Sequence, residues 1–200
     1  MSALTELCQQ IALCHKCDIA RLRNNVVPGE GAENAEIMFI GEAPGFNEDQ
    51  QGRPFVGQAG QFLDQLLASV NLNRQLVYIA NVIKCRPPEN RDPLPTEIQN
   101  CAPWLDNQIE IIKPKIIVTL GRYSMARYFP GKSISKIHGT AVKRDGIVYF
   151  AMYHPAAALH QGSLRHDIEL DMQKIPQLLA EINTVQEEVP PPQQLNLFGE

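Results

Sequence analysis

The chain has 200 residues, 44% of them hydrophobic and 20% charged, with 18 Lys and Arg against 22 Asp and Glu for a net charge of −4. That balance fits one globular domain of ordinary size and excludes a disordered chain, and no apolar run is long enough to span a bilayer. It also excludes a binder that holds nucleic acid by overall positive charge. Glu187, Glu188 and Glu200 nevertheless sit in a terminal stretch without Lys or Arg, so the body is close to neutral and can still gather a local basic strip.

The first segment, MSALTELCQQIALCHKC, has Glu6 and no basic run ahead of its apolar residues. No secretory leader is read there, and a cytoplasmic location is expected. The segment reads as a short amphipathic helix with Cys8, Ile11 and Ala12 on one face, which makes Cys8 a packing residue. A buried strand is expected over residues 36–40, followed by a glycine- and proline-rich stretch. Residues 59–70 form a helix with Phe62, Leu63, Leu66, Leu67 and Val70 on one stripe. A second strand covers 77–82. Thr96 is expected to cap a long helix that Pro114 stops, with Pro103 as a possible kink. Then come a strand over 116–120, a short helix over 121–129, a strand over 147–153 and a last helix over 166–182.

Strands alternating with helices predict an α/β three-layer sandwich, with a central, mostly parallel four-stranded sheet flanked by helices. Such sheets collect ligands at the carboxyl ends of their strands. Gly41-Glu42-Ala43-Pro44-Gly45 follows the first strand, Asn81 ends the second, and His154-Pro155 follows the fourth. The domain is read as residues 1–184. Residues 185–200, acidic and with three consecutive prolines, read as an extended tail without a core.

Five cysteines in a chain expected to be cytosolic point to metal or catalysis rather than disulfides. Cys14 and Cys17 form a CxxC; Cys85 and Cys101 follow far downstream. Four thiolates gathered by a fold hold either zinc or an iron–sulfur cluster, and buried free cysteines are the plain alternative. Cys85 lies between Lys84 and Arg86 ahead of two prolines, as a loop residue would, and Cys101 is near a helix start, where the dipole favours a thiolate. A ligand role for all four is the preferred reading. His15, inside the CxxC, is read as solvated.

Three stretches then become recognisable together. Gly41-Glu-Ala-Pro-Gly45, Glu48-Asp49 and Gly52-Arg-Pro-Phe-Val-Gly57 come first, Asn81-Val-Ile-Lys-Cys85-Arg-Pro-Pro88 with Asn90-Arg91 second, and His154-Pro-Ala-Ala-Ala-Leu159 third. In order, and with the four cysteines, they closely resemble the family 4 uracil-DNA glycosylases over most of residues 13–179. The resemblance implies a uracil-DNA glycosylase-like fold and a base-excision enzyme acting on single- or double-stranded DNA as a monomer. It also implies a 4Fe-4S cluster on Cys14, Cys17, Cys85 and Cys101, with zinc the lesser alternative. By the same resemblance Glu42 and His154 are catalytic, Gly41, Phe55 and Asn81 contact uracil, and Glu48 crowds its C5 position, although Phe46-Asn47 departs from the more acidic run usual there.

The chemistry suits those roles. An enzyme acting on a base must take it out of the stack and read its Watson–Crick edge. Phe55 offers a flat apolar face, and the Asn81 amide offers a donor and an acceptor side by side, matching uracil O4 and N3–H and rejecting cytosine. His154 is suited to donate to uracil O2 as negative charge develops there, and Glu42 to orient a water and stabilise a cationic sugar. Without the resemblance, a core Phe, a strand-end Asn, a structural His and a loop-anchoring Glu would be the ordinary readings. Leu164 and Arg165 resemble a minor-groove loop, against the alternative of a surface helix entry, and Lys84 and Arg86 are candidate phosphate contacts. A related class carries a basic loop with a His that bonds the abasic sugar; residues 86–101 hold no His, so hydrolytic turnover is expected. In the tail, Gln194, Leu195, Leu197 and Phe198 resemble the peptide by which bacterial repair proteins dock on the replication sliding clamp.

Two other classes fit parts of this pattern. A non-catalytic nucleic-acid module would keep the cysteines but has little use for Glu42, Asn81 and His154 at strand ends. An electron carrier would make the cluster itself the active centre.

Overall fold

The computed structural model describes residues 1–182, 184 and 185. The tail, with Gln194, Leu195, Leu197 and Phe198, lies outside the described residues. Three strands of largely apolar sequence, β2 (Ile37–Gly41), β3 (Tyr78–Asn81) and β4 (Ile116–Leu120), are buried at every position. Together with β6 (Ile147–Met152) they run parallel, in the order β3-β2-β4-β6. Two antiparallel edge strands extend this sheet: β1 (Glu30–Gly31) beside β3, and β5 (Ala141–Arg144) beside β6. The sheet therefore has six strands rather than the expected four. Both extra strands escape periodicity for a physical reason. One is two residues long, and the other, Ala-Val-Lys-Arg, is half-buried along its length, as an edge strand tolerates.

Because side chains alternate across a strand, each face of the sheet builds its own core. One face sets Met38, Ile40, Tyr78, Ala80 and Ile117 against Leu4 of α1 (Ala3–Ala12), Leu105 and Ile112 of α4 (Pro95–Ile112) and Met125 of α5 (Arg122–Tyr128). Cys8 packs against this core, as expected. The other sets Ile37, Phe39, Ile79, Val118 and Phe150 against α3 (Gln58–Ser69) and α8 (Leu164–Ala180). Three shorter helices cover the connections: α2 (Phe46–Gln51), α6 (Ile134–Ile137) and α7 (Pro155–His160).

The long helix begins one residue before Thr96, which does not cap it. Glu97 does so instead, its carboxylate accepting the Leu94 N–H at 2.8 Å. Pro103 stands inside α4 without ending it. Cys101 is the seventh residue of α4, beyond the first turn, so the helix dipole is not what favours a thiolate there.

Candidate active site

The carboxyl ends of β2, β3 and β6 open into one cleft of about 680 Å³, lined among others by Glu42, Gly45, Glu48, Phe55, Asn81 and His154. Each reaches it from the end of an apolar strand or from the loop that follows, which is why residues more than 100 positions apart in sequence meet there.

Asn81 is the last residue of β3 and is 1% exposed. Its Oδ1 is buried without a hydrogen-bond partner among the described residues. Such an atom ordinarily costs about 1–3 kcal/mol, so its retention facing a cleft marks a place kept for a ligand's donor. Beside it, the Phe55 ring stacks on the His154 ring at 5.4 Å between centroids and 26° between planes. Gly41 is what lets these groups close up: a Cβ there would stand 2.4 Å from Asn81 Oδ1 and 2.6 Å from Phe55 Cζ.

His154 is the N-cap of α7, and its Nδ1 accepts the Ala156 N–H at 3.1 Å. An accepting Nδ1 puts the proton of a neutral ring on Nε2, which is then free to donate. Burial pushes the His154 pKa down to about 4, with Glu48 opposing, so the ring is uncharged at neutral pH. The Glu42 carboxyl is shifted the other way. Burial raises its pKa, the nearby Asp92 raises it further, and Arg122 opposes both.

Asp92 and Arg122 line the cleft and pair at 2.5 Å. Neither stands out in the sequence. Asp92→Asn removes a negative charge beside Glu42 and releases Arg122, and both changes favour the ionised Glu42. The acid limb of the kcat/KM profile is therefore expected to move to lower pH in Asp92→Asn, and an unmoved or raised limb contradicts the placement.

Phe55 adopts a left-handed backbone, φ 52°, which is unfavourable for a residue of its bulk. Arg74 holds it there. The guanidinium donates to the Pro54 carbonyl at 2.8 Å and to the Phe55 carbonyl, and its Nε pairs with Asp64 at 2.7 Å. Gly60 allows the loop to lie against α3, because a Cβ there would run into the Phe55 carbonyl. Arg74→Met is expected to raise KM for the ligand of this cleft about tenfold by releasing a strain of order 1–3 kcal/mol. Steady-state kinetics check it, and an unchanged KM shows that the loop holds itself.

Glu48 lines the cleft, but its carboxylate is largely taken up by backbone: Oε1 accepts from Val56 and Gly57 at 2.8 and 2.9 Å, and Oε2 from Gly45 at 3.1 Å. It braces the two glycine-containing loops against each other. Lys84 is not a phosphate contact. At 1% exposure it is buried, donating to the Asn81 carbonyl at 3.0 Å and to Gln108 Oε1 at 2.6 Å, so it cannot reach a phosphate. Arg86 is half-buried, bonded to Asn90 and lying over the Phe46 ring. Leu164 packs against the α3–α8 core instead of standing free, whereas Leu159, 48% exposed at the end of α7, is an apolar side chain left in solvent beside the cleft-lining His160. Arg165 is exposed but engaged with Glu169, Gln65 and the face of Phe62.

Cys14, Cys17, Cys85 and Cys101 line a second, small cavity. Among the described residues no three His, Cys, Asp or Glu side chains form a group that clasps a metal ion. Three of the sulfurs are nonetheless met by donors: Trp104 Nε1 at 3.2 Å from Cys14, Arg23 Nη1 at 3.1 Å from Cys85, and the Lys84 peptide N–H at 3.3 Å from Cys101. His15 is exposed.

A mostly parallel sheet with a stacking ring, an unpaired amide oxygen and titratable groups at its carboxyl edge is the architecture of an enzyme that receives a flat, hydrogen-bonding ligand. The chain belongs to the uracil-DNA glycosylase superfamily, whose family model matches residues 28–175. Within it the chain groups with the type-4 enzymes. It is 49% identical to a type-4 uracil-DNA glycosylase of Sulfurisphaera tokodaii, over 89% of this chain and 86% of that one. It is 46% identical to one of Archaeoglobus fulgidus (89% and 94%) and 42% identical to one of Thermotoga maritima (83% and 89%). No helix among the described residues is long and apolar enough to cross a membrane.

Proposed function

We propose that this chain excises uracil from single- or double-stranded DNA by hydrolysis of the N-glycosidic bond, with the residues of the β2–β3–β6 edge as its active site. The observation that carries the reading is the buried, unpartnered Asn81 Oδ1 beside the stacked rings of Phe55 and His154. A flipped uracil offers N3–H to that oxygen and O4 to Asn81 Nδ2, while its face lies on Phe55. His154 Nε2–H donates to O2, where the electrons of the breaking C1′–N1 bond accumulate. Glu42, ionised, stabilises the cationic sugar and takes a proton from the water whose oxygen bonds to C1′. Uracil leaves, and an intact strand with an abasic site remains.

Cytosine presents an acceptor at N3 and an amino group at position 4, the reverse of what Asn81 receives. Single-turnover release from oligonucleotides that differ only in U, C or T at one position tests this. Uracil is expected to be released, and cytosine roughly 10⁴-fold more slowly. Equal rates for uracil and cytosine overturn the role given to Asn81.

The four cysteines are read as holding a 4Fe-4S cluster. An all-thiolate set with N–H donors on three of the four sulfurs, and with the cations of Arg23 and Lys84 beside it, suits an anionic cluster. When bound, such a group cross-links the N-terminal segment, the loop after β3 and α4. Equimolar iron and acid-labile sulfide, four of each per chain, are expected; zinc without sulfide replaces the reading.

Gln194, Leu195, Leu197 and Phe198 are read as a docking peptide for the sliding clamp. Deleting residues 194–198 is expected to abolish clamp binding and leave uracil release unchanged. Clamp affinity equal to that of the full chain removes this reading.

A further inference from the structure

A cation sunk in a protein core is normally paired with a carboxylate or replaced by an apolar residue, because its desolvation is so unfavourable. Lys84 is neither. No carboxylate pairs with it among the described residues, and the ammonium is spent on two neutral acceptors, the Asn81 carbonyl and Gln108 Oε1. Gln108 is itself fully buried and fixed, its Nε2 donating to the Pro28 carbonyl at 2.8 Å and to Tyr78 Oη at 3.0 Å. The backbone of Lys84 faces the other way: its peptide N–H donates to the Cys101 sulfur at 3.3 Å.

Asn81, by contrast, has no hydrogen bond at Oδ1 to fix the direction of its amide. Its aim depends on its backbone, which is pinned on one side by the pairing of β2 with β3 and on the other by the Lys84 ammonium. We propose that Lys84 is the positioning residue of base recognition: it fixes the Asn81 backbone from below and ties it, through one residue, to the cysteine-lined cavity. The inference rests on the reading of Asn81 as the residue that pairs with uracil. It gives a buried charge that no carboxylate among the described residues neutralises a specific task, and it links the base-pairing residue to the cysteine site through one residue.

The test uses Lys84→Met, which keeps length and apolar bulk but has no donor, and Gln108→Met, which frees the ammonium from its helix anchor. Affinity is measured for oligonucleotides carrying non-cleavable 2′-fluoro-deoxyuridine or 2′-fluoro-deoxycytidine, with iron content determined on the same samples. Lys84→Met with wild-type iron content is expected to lose about tenfold or more in uracil affinity and to bind the two bases with more nearly equal strength, as a small misplacement of a recognition group does. Gln108→Met is expected to shift the same ratio in the same direction by less. If Lys84→Met fails to fold or to retain iron, Gln108→Met decides. A wild-type uracil-to-cytosine ratio in either iron-containing variant overturns the proposal. Wild-type protein that shows no preference for uracil overturns instead the functional reading on which it stands.

Discussion

Replacing His154 with alanine is expected to slow uracil release by roughly 10²–10³-fold at saturating DNA. The Nε2–H donates to an oxygen that gains charge only as the bond breaks, while Phe55 and Asn81 still hold the base. The loss therefore falls on kcat more than on KM. Glu42→Gln keeps the shape but not the charge, and is expected to cost roughly 10²–10⁴-fold. The two variants separate further in their pH dependence. His154, with a pKa lowered to about 4 by burial, stays neutral well into the acid range, so the acid limb belongs to Glu42, whose pKa is raised. Activity that needs ionised Glu42 falls as pH drops through that raised value, and this limb is expected to disappear in Glu42→Gln. Single-turnover rates across pH check both effects. A His154→Ala variant as fast as the wild type contradicts the mechanism.

Gly41→Ala is expected to be the most damaging change that removes no functional group. Its Cβ would stand 2.4 Å from Asn81 Oδ1 and 2.8 Å from Phe55 Cε2. The Phe55 loop is anchored by Arg74, and with its backbone held by Lys84 the Asn81 amide can yield only by turning away from the base it would pair with. Overpacking of this kind typically costs about 1–3 kcal/mol, and here it falls on the base pocket. Affinity for a non-cleavable uracil analogue is therefore expected to fall by roughly 10–100-fold, measured by titration against an abasic-site analogue as control. Wild-type affinity in Gly41→Ala shows that Asn81 and Phe55 are looser than their burial implies.

Much of this was legible in the sequence because buried parallel strands are written as unbroken apolar runs. The third strand, residues 116–120, was placed to the residue, and the others within one position at each end. Glu42, Asn81 and His154 could be placed at strand ends for the same reason. What the sequence hid is what depends on contact. Arg74 sits in the polar turn Asn73-Arg-Gln75, and nothing local reveals that its partners are the carbonyls of Pro54 and Phe55. Lys84 beside Cys85 and Arg86 reads as part of a basic surface, yet its burial follows from α4 packing over the loop and offering Gln108. Glu48 reads as a residue near the base, but the backbone amides that hold its carboxylate in the cleft come from a loop eight and nine residues away, which no local pattern announces. The edge strands were invisible because an edge needs only half an apolar pattern.

Hydrolytic release of the base without cutting the strand is the activity proposed for this site. It is tested most directly by incubating the protein with an end-labelled oligonucleotide carrying one uracil, quantifying free uracil, and running the strand before and after alkali. Free uracil equal to the substrate consumed, with full-length strand before alkali and a single break at the uracil position after it, is the predicted result. A strand that stays intact after alkali, or one already broken before it, contradicts the account.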